Sequence, residues 1–533
     1  MTGAAAFRST LLAGLGGAWS RRCAAALAAV TLVSCAGSPD RPSNAQSDER
    51  RLFVETDESI LEYHIQPVQP EQLALTGLAR LDALDPQLSI EHSAGAVVLH
   101  VGDRSQRFDA PGPSELVDWG VLTSKMLDEA RTLSPQVAAT PADKLEELVI
   151  DGSLAELDPY SRYVPPDVAR EHRATRDGFG GIGVTLDIHE NDVRIAGVMP
   201  DTPAATAGLV PGDRIVSLDG VPVEKLSPED IRKHLRGPVQ TMVQLAVARS
   251  GIAEPLKIAV QRTRIVPETV SLKERGDIAW LKVTLFNQET GERLAELLKQ
   301  AHHEMGDNLR GIVLDLRDNP GGLLDQSVDV VSLFIQNGDV LSTIGRNPGA
   351  MQHFTATGDR YVETAPMAVL VNGGSASASE IVASALQDSG RAVVIGTSSY
   401  GKGTVQTVIR TSNDGELTVT WAQIITAGGY QLNTHGVVPT VCTSQQADTA
   451  AEAATLLPVS ASPVQPALAR ARVSLDDQAW QHMRSLCPAQ REKSELDELV
   501  AQRLLDTPSI YHAAMASMEP GSAARLAAAS TQR

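Results

Sequence analysis

Short apolar runs alternate with amphipathic stretches between residues 265 and 441. Four of the runs have the length and composition of buried strands, and three of the stretches between them have helical spacing. The predicted strands are 278–286, 311–316, 368–371 and 392–395, and the predicted helices are 289–305, 324–335 and 379–387. Strands that alternate with helices favour a mainly parallel sheet covered by helices. We therefore predict an α/β core in this part of the chain.

The length of 533 residues allows several domains around that core. Acidic side chains outnumber basic ones by 65 to 46, for a net charge of −19, and there are only seven Phe, five Trp and seven Tyr. Both features disfavour nucleic-acid binding, which needs a basic surface and aromatic stacking platforms. The spacings of common zinc motifs do not occur, so we predict neither a metal site nor a cofactor.

The amino terminus has the pattern of a bacterial export signal. Residues 1–34 contain three arginines and no acidic residue, and 23–34 form an apolar run. This run is too short to span a bilayer as a helix, but it suits the apolar part of a secretory signal. It ends in Leu-Val-Ser before Cys35, which resembles the lipobox of bacterial lipoproteins. We predict lipidation of Cys35 and a periplasm-facing location in the bacterial cell envelope, with the lipid as the only membrane attachment. An ordinary cleaved signal is the alternative.

The rest of the chain divides by composition. Residues 35–50 are polar and are predicted as a flexible tether. Residues 51–175 are predicted as a mainly helical region with a hairpin around Gly102-Asp103. The remaining predictions are a β-rich module at 176–262, the core at 263–442, a linker rich in Ala, Ser and Pro at 443–473, and a helical tail at 474–533.

Two cysteines remain once the signal is removed and Cys35 is lipidated. Cys442 and Cys487 are an even pair in a chain predicted to enter an oxidising compartment. One interpretation is a disulfide that ties the tail to the core, and the other is two free buried thiols.

Two glycine-rich stretches resemble nucleotide-binding loops without their context. The stretch 178–183 fits the dinucleotide pattern, yet a strand-like run follows it where a helix is required. The stretch 396–402 resembles a phosphate-binding loop, but another strand-like run follows it. Ser399 and Lys402 have the spacing of a pair on one helical face, but the glycines flanking Lys402 disfavour a helix. We predict no nucleotide site and no nucleophilic role for Ser399.

A serine-rich turn between an apolar strand and a helix carries the strongest catalytic signal. It reads Gly-Gly-Ser-Ala-Ser-Ala-Ser-Glu at 373–380, and a serine there has a helix N-terminus beside it to stabilise negative charge. Leu-Asp-Leu-Arg-Asp-Asn-Pro-Gly-Gly at 314–322 precedes the turn, and Tyr-Gly-Lys-Gly-Thr-Val-Gln at 400–406 follows it. In this order the three segments resemble the carboxyl-terminal processing peptidases (tail-specific proteases), PDZ-containing serine peptidases of the S41 type. The resemblance extends over about residues 154–441.

The resemblance implies that Ser377 is the nucleophile, Lys402 its general base and Gln406 the residue that positions the lysine. The chemistry of these residue types agrees with that assignment. Serine needs a nearby base, and a lysine can serve only if desolvation lowers its pKa towards neutrality. The glycines flanking Lys402 would let the backbone pack closely and hold the amine in an apolar pocket.

The resemblance also implies an oxyanion hole formed by the backbone amides of Ala378 and Gly322, with Gly321 as the open alternative to Gly322. It further implies that the β-rich module at 176–262 is a PDZ domain, whose loop amides capture a free peptide carboxylate while a strand pairs with the peptide. The predicted peptide-binding residues are Gly181, Ile182, Gly183, Val184, Ile231 and Leu235.

The predicted function is therefore a serine endopeptidase with a Ser-Lys dyad that cleaves exported proteins with accessible, apolar C-termini. One alternative is a catalytically idle PDZ scaffold that recruits periplasmic partners. Another is a Ser-His-Asp hydrolase that uses His435 or His353. The need for an adaptor protein and the formation of homo-oligomers stay open.

Overall fold

The structure is a computed structural model that describes residues 44–93, 95–189, 192–358, 363–444 and 476–518. The predicted signal, Cys35, most of the predicted linker and the end of the tail lie outside the described residues. Among the helices that are described, none is both long and apolar enough to cross a membrane.

The N-terminal region packs helices around a small antiparallel sheet. Its helices are α1 (Asn44–Tyr63), α2 (Pro70–Ala79), α3 (Leu116–Leu133), α4 (Pro135–Ala139) and α5 (Ala142–Leu154), and its strands are β1 (Leu88–Ser93), β2 (Ala96–Val101) and β3 (Arg104–Asp109). The hairpin predicted around Gly102 joins β2 to β3, and β1, which was not predicted, pairs with the other edge of β2. Leu78, Trp119 and Met126 are fully buried in the core of this region.

The prediction of a flexible tether over residues 35–50 was wrong for residues 44–50, because α1 begins at Asn44. Glu49, in the segment predicted as flexible, is buried. Its carboxylate accepts hydrogen bonds from Arg131 at 2.6 Å and from Ser124 at 3.2 Å, both on α3. Residues 44–50 are therefore helical. Their polar composition was misleading because the partners that bury Glu49 lie far away in the sequence.

The short strand β4 (Arg162–Val164) and the helix α6 (Pro166–Asp177) lead into the β-rich module. Its elements are β5 (Phe179–Gly181), β6 (Val184–His189), β7 (Asp192–Val198), α7 (Pro203–Thr206), β8 (Arg214–Leu218), β9 (Val221–Pro222), α8 (Pro228–Leu235), β10 (Met242–Ala248), β11 (Leu256–Gln261) and β12 (Thr263–Ile265). The main sheet has the order β11-β10-β8-β7-β6, which leaves β6 at an edge. The glycines at 178–183 lead into a strand, so no helix N-terminus follows them to hold a pyrophosphate.

The α/β core follows the predicted alternation. Its elements are β13 (Val270–Arg275), β14 (Ile278–Val283), α9 (Thr290–Met305), β15 (Gly311–Asp315), α10 (Leu324–Ser332), β16 (Asn337–Ile344), β17 (Gln352–Thr357), β18 (Met367–Val371), α11 (Ala378–Asp388), β19 (Val393–Gly396), β20 (Thr404–Arg410), β21 (Glu416–Thr426) and β22 (Val441–Cys442). The central sheet has the order β13-β14-β15-β18-β19-β22, and every neighbouring pair except β13-β14 is parallel. The predicted mainly parallel sheet is confirmed.

A second, antiparallel sheet was not predicted as a unit. Its order is β17-β16-β21-β20, and β4 also pairs with β21. The Thr420 carbonyl in β21 accepts a hydrogen bond from the Ile65 amide at 2.8 Å. This sheet therefore connects the N-terminal region to β20, the strand that follows Lys402.

The described part of the tail is helical and packs on the core. It consists of α12 (Asp477–Leu486), α13 (Glu495–Asp506) and α14 (Pro508–Met518). Trp480 on α12 and Leu504 on α13 are buried against opposite sides of the central sheet. A disulfide joins Cys442, at the end of β22, to Cys487, directly after α12. The tail is thus covalently attached to the core.

Candidate active site

Ser377 lies in the turn between β18 and α11, at the N-terminus of the helix. Its φ of 55° is in the left-handed region, which a non-glycine residue adopts only when its surroundings hold it there. The Ala376 amide donates to the Asn319 carbonyl at 3.0 Å, and the Ser375 hydroxyl donates to the Leu316 carbonyl at 2.8 Å. These contacts hold the turn and leave Ser377 half-buried where backbone amides favour negative charge.

A buried carboxylate ties this turn to the loop that carries Lys402. Glu380 is fully buried and accepts hydrogen bonds from the backbone amides of Ser377 at 2.8 Å, Gly401 at 2.7 Å and Lys402 at 2.9 Å, and from the Ser399 hydroxyl. Burial raises the pKa of Glu380, whereas these donors favour the ionised form. Sequence reasoning missed this residue, although an acid three positions after a serine is a capping pattern that could have found it.

The Lys402 amine is half-buried and has no carboxylate partner among the described residues. Burial lowers its pKa, and the charge of Arg162 lowers it further, while Glu380 and Asp158 act in the opposite direction. The Nζ atom lies 5.0 Å from the centre of the Tyr160 ring, and no described residue forms a hydrogen bond with it. A lysine amine that is desolvated and unpaired loses its proton more readily, as a general base must.

Gln406, on β20, contacts two threonines. Its amide nitrogen donates to the Thr404 hydroxyl at 2.8 Å and to the Thr420 hydroxyl at 3.3 Å. The Thr420 hydroxyl in turn donates to Asp158 at 2.8 Å. Within the described residues no hydrogen bond joins the Gln406 side chain to the Lys402 amine. The predicted positioning of the lysine by Gln406 is thus not a direct contact in this structure, because the two hydroxyls hold the amide.

Two backbone amides near Ser377 have no acceptor among the described residues. They belong to Ala378, the first residue of α11, and to Gly322, the pair predicted to form an oxyanion hole. The Gly321 amide is occupied, since it donates to Asn319 Oδ1 at 2.9 Å. A Cβ atom on Gly321 would lie 2.7 Å from the Ser377 Cβ, so a glycine is needed for this loop to approach the turn. Gly322 is therefore the available donor of the two glycines.

A buried network of ion pairs around Arg317 holds the 314–322 segment in place. The Arg317 guanidinium is 2% exposed and binds both carboxylate oxygens of Asp315 at 2.9 Å. It also contacts Asp497 at 3.2 Å and Glu498 at 2.8 Å, both on α13. Burial alone would lower the pKa of Arg317, but these carboxylates raise it overall. The tail helix therefore helps to fix the loop that carries the Gly322 amide.

A groove of about 710 Å³ runs between β6 and α8 of the β-rich module. Of the predicted peptide-binding residues, Gly181, Ile182, Gly183, Val184 and Leu235 line it. Ile231 does not line the groove in this structure; like Ile182 and Leu235, it is buried in the core of the module. The amides of Ile182 and Gly183 have no backbone acceptor in the described part of the chain. They are therefore available to a bound carboxylate.

The two histidines considered as alternative bases have other partners. The ring of His353 contacts Ser342 at 2.9 Å and Asp339 at 3.0 Å, and the ring of His435 contacts the Gln431 carbonyl at 2.7 Å and Asp477 at 3.0 Å. Neither ring bonds to Ser377 within the described residues. The geometry therefore gives no support to a Ser-His-Asp arrangement.

Comparisons with known proteins match both the core and the β-rich module. The model of peptidase family S41 matches residues 277–443, and a PDZ domain model matches 194–249. A carboxy-terminal-processing protease of Bartonella bacilliformis is 39% identical over 313 residues, which cover 58% of this chain and 72% of the relative. A carboxyl-terminal-processing protease of Synechocystis sp. is 30% identical over 341 residues, 61% of this chain and 79% of the relative. The solved structure of a photosystem II D1 C-terminal processing protease aligns over 73% of this chain and 92% of its own, with 23% identity and a TM-score of 0.37.

Proposed function

The chain belongs to peptidase family S41, among the carboxy-terminal-processing proteases with a PDZ domain, and we propose that it cleaves peptide bonds with a Ser377–Lys402 dyad. One observation carries the proposal: a single buried carboxylate, Glu380, accepts hydrogen bonds from the backbone amides of both residues. The turn that carries Ser377 and the loop that carries Lys402 are thereby held at a fixed position relative to each other. Positioning of this kind is what a serine and its base require.

In the proposed mechanism Ser377 Oγ attacks the carbonyl carbon of the scissile peptide bond while neutral Lys402 Nζ takes the hydroxyl proton. The oxyanion that forms accepts hydrogen bonds from the Gly322 and Ala378 amides, next to the N-terminus of α11. When the carbon–nitrogen bond breaks, the Lys402 ammonium protonates the departing amine. Water then attacks the acyl-enzyme with the neutral lysine again as base, which releases the acid product and restores the Ser377 hydroxyl.

We further propose that the groove between β6 and α8 receives the free C-terminus of the substrate. The Ile182 and Gly183 amides would bind the terminal carboxylate, and the last side chain would enter the apolar pocket between Val184 and Leu235. The substrate backbone would pair with the free edge of β6. This arrangement supports protein or peptide substrates with apolar, accessible ends.

An unstructured peptide with a fluorophore and a quencher on either side of its cleavable segment, and a C-terminal valine, tests this proposal. We expect the full chain to cleave it, and we expect amidation of the terminal carboxylate to lower kcat/KM by about 10- to 100-fold, because charge-assisted hydrogen bonds contribute about 1.5–3 kcal/mol. Ser377→Ala is the inactive control, checked for folding by circular dichroism. Equal cleavage of the free and amidated peptides would contradict C-terminal recognition. A folded, silent parent that still binds the peptide would favour the scaffold alternative.

We also propose that the chain faces the periplasm and is attached to a membrane of the cell envelope by lipid on Cys35. The disulfide between Cys442 and Cys487 supports export, since structural disulfides persist in oxidising compartments. Cells fed labelled palmitate should label the wild-type chain but not Cys35→Ser. Equal labelling of both would contradict the proposal.

A further inference from the structure

The groove between β6 and α8 contains a cation whose charge no described residue compensates. Arg232 lines the groove, is exposed and forms no ion pair within the described part of the chain. The other groove cation, Arg236, pairs with Glu171 at 2.6 Å and lies over the Phe179 ring. The groove anion Glu268 lies 3.9 Å from Arg293. Among the described charged residues of the groove, Arg232 is therefore the one that is free to pair with a charged group of a ligand.

The position of Arg232 along the groove follows from how α8 is anchored. The C-terminal end of α8 meets the segment that carries the Ile182 and Gly183 amides, because the Gly237 amide donates to the Gly180 carbonyl at 2.9 Å. Leu235 therefore lies beside the end of the groove where a terminal carboxylate would bind. Arg232, three residues earlier, lies about 4.5 Å further along the helix axis, away from that end.

A peptide that pairs with β6 advances about 6.6 Å for every two residues, and its alternate side chains face the same side. When its last side chain enters the pocket beside Leu235, the side chain two residues earlier faces the groove again. The remaining difference is about 2 Å, which is within the reach of the long Arg232 side chain that lines the groove. Leu186 and Ile188, on the opposite wall, provide no charge there.

We propose that Arg232 makes this groove select C-termini that carry an acidic side chain two residues before a terminal apolar residue. The inference rests on the proposed function of the groove and adds the chemical class of its preferred substrates. An Arg–carboxylate pair gives such selection because the planar guanidinium can donate two parallel hydrogen bonds to one carboxylate.

Binding of three labelled peptides to the full chain carrying Ser377→Ala tests the inference. The peptides differ only at the third position from the end and terminate in Asp-Ala-Val, Asn-Ala-Val or Lys-Ala-Val, so that Asn is the uncharged match of Asp. We expect the Asp peptide to bind about fivefold more tightly than the Asn peptide, because partly exposed ion pairs contribute up to about 1 kcal/mol. The Lys peptide should bind most weakly, and added salt should reduce the differences.

Variants of the groove helix complete the test. Arg232→Gln should bind the three peptides equally, and Arg232→Glu should prefer the Lys peptide. Lys233→Gln is the matched control, because Lys233 pairs with Glu229 at 2.6 Å and does not line the groove, so it should keep the wild-type order. Equal binding of all three peptides to the parent would overturn the selection while leaving C-terminal recognition intact. If no peptide with a free C-terminus binds, both the selection and the proposed function of the groove are wrong.

Discussion

Replacement of Lys402 by alanine is expected to lower kcat by about 10³-fold or more without unfolding the protein. Burial lowers the pKa of this amine, and no described carboxylate pairs with it, so a neutral amine is available to take the Ser377 proton. Arginine keeps the charge and cannot lose a proton near neutral pH, so Lys402→Arg should be equally inactive. Initial rates of cleavage of the quenched peptide measure both effects.

The matched control for this prediction is Lys299→Ala, which removes an exposed lysine of α9 and should leave the rate unchanged. Circular dichroism and thermal unfolding show whether each variant is folded. A folded Lys402→Ala that retains most of the wild-type kcat would mean that Lys402 is not the base.

Replacement of Glu380 by glutamine is expected to lower kcat by about 100-fold, because a misplacement of about 1 Å in an active site has an effect of that size. One Glu380 oxygen accepts from the Ser399 hydroxyl and the Gly401 amide, and the other accepts from the Ser377 and Lys402 amides. Glutamine has a single acceptor oxygen, so one of these two pairs of donors would face an NH₂ group. The turn and the lysine loop would then separate.

The pH profile distinguishes positioning from a general loss of stability. The Glu380 charge raises the pKa of Lys402, so its removal should shift the pH–rate profile to lower pH. Glu416→Gln is the matched control, because this buried carboxylate contacts Arg173 at 3.4 Å and Arg176 at 3.1 Å and no residue of the dyad. It should lower the unfolding temperature and preserve kcat.

Should Glu380→Gln prove unstable, Ser399→Ala is a second variant. It removes only one of the donors to Glu380 and should give a smaller fall in kcat. A folded Glu380→Gln with wild-type kcat and pH profile would contradict the positioning role.

The parallel core was predictable because its strands are buried on both faces. All residues of β15, β18 and β19 are buried, and such strands appear in the sequence as short unbroken apolar runs. The antiparallel sheet was harder to predict, because β16 and β20 mix buried and exposed residues, and β16 pairs with β21, which lies far along the chain. The helical start of α1 was missed for the same reason, since the partners of Glu49 lie on α3.

Among the site residues, too, those in local motifs were predicted, and those defined by contacts with distant residues were not. Ser377 and Lys402 stand in contiguous motifs whose local chemistry is recognisable. Arg317 is also in a motif, but its buried partners include Asp497 on α13, and nothing in the sequence near Arg317 predicts that contact. Ile231 and Leu235 are both buried apolar residues of α8, and only the structure shows that Leu235, and not Ile231, also lines the groove.

The pH dependence of kcat/KM for the quenched peptide tests the central claim most directly. Because a base must be unprotonated, kcat/KM should rise with pH through a single ionisation below 10.5, the ordinary value for lysine, since burial lowers the pKa of Lys402. This ionisation should be missing from the residual activity of Lys402→Ala. An inflection near 6.5 that persists in Lys402→Ala would instead assign the base to a histidine and contradict the Ser377–Lys402 dyad.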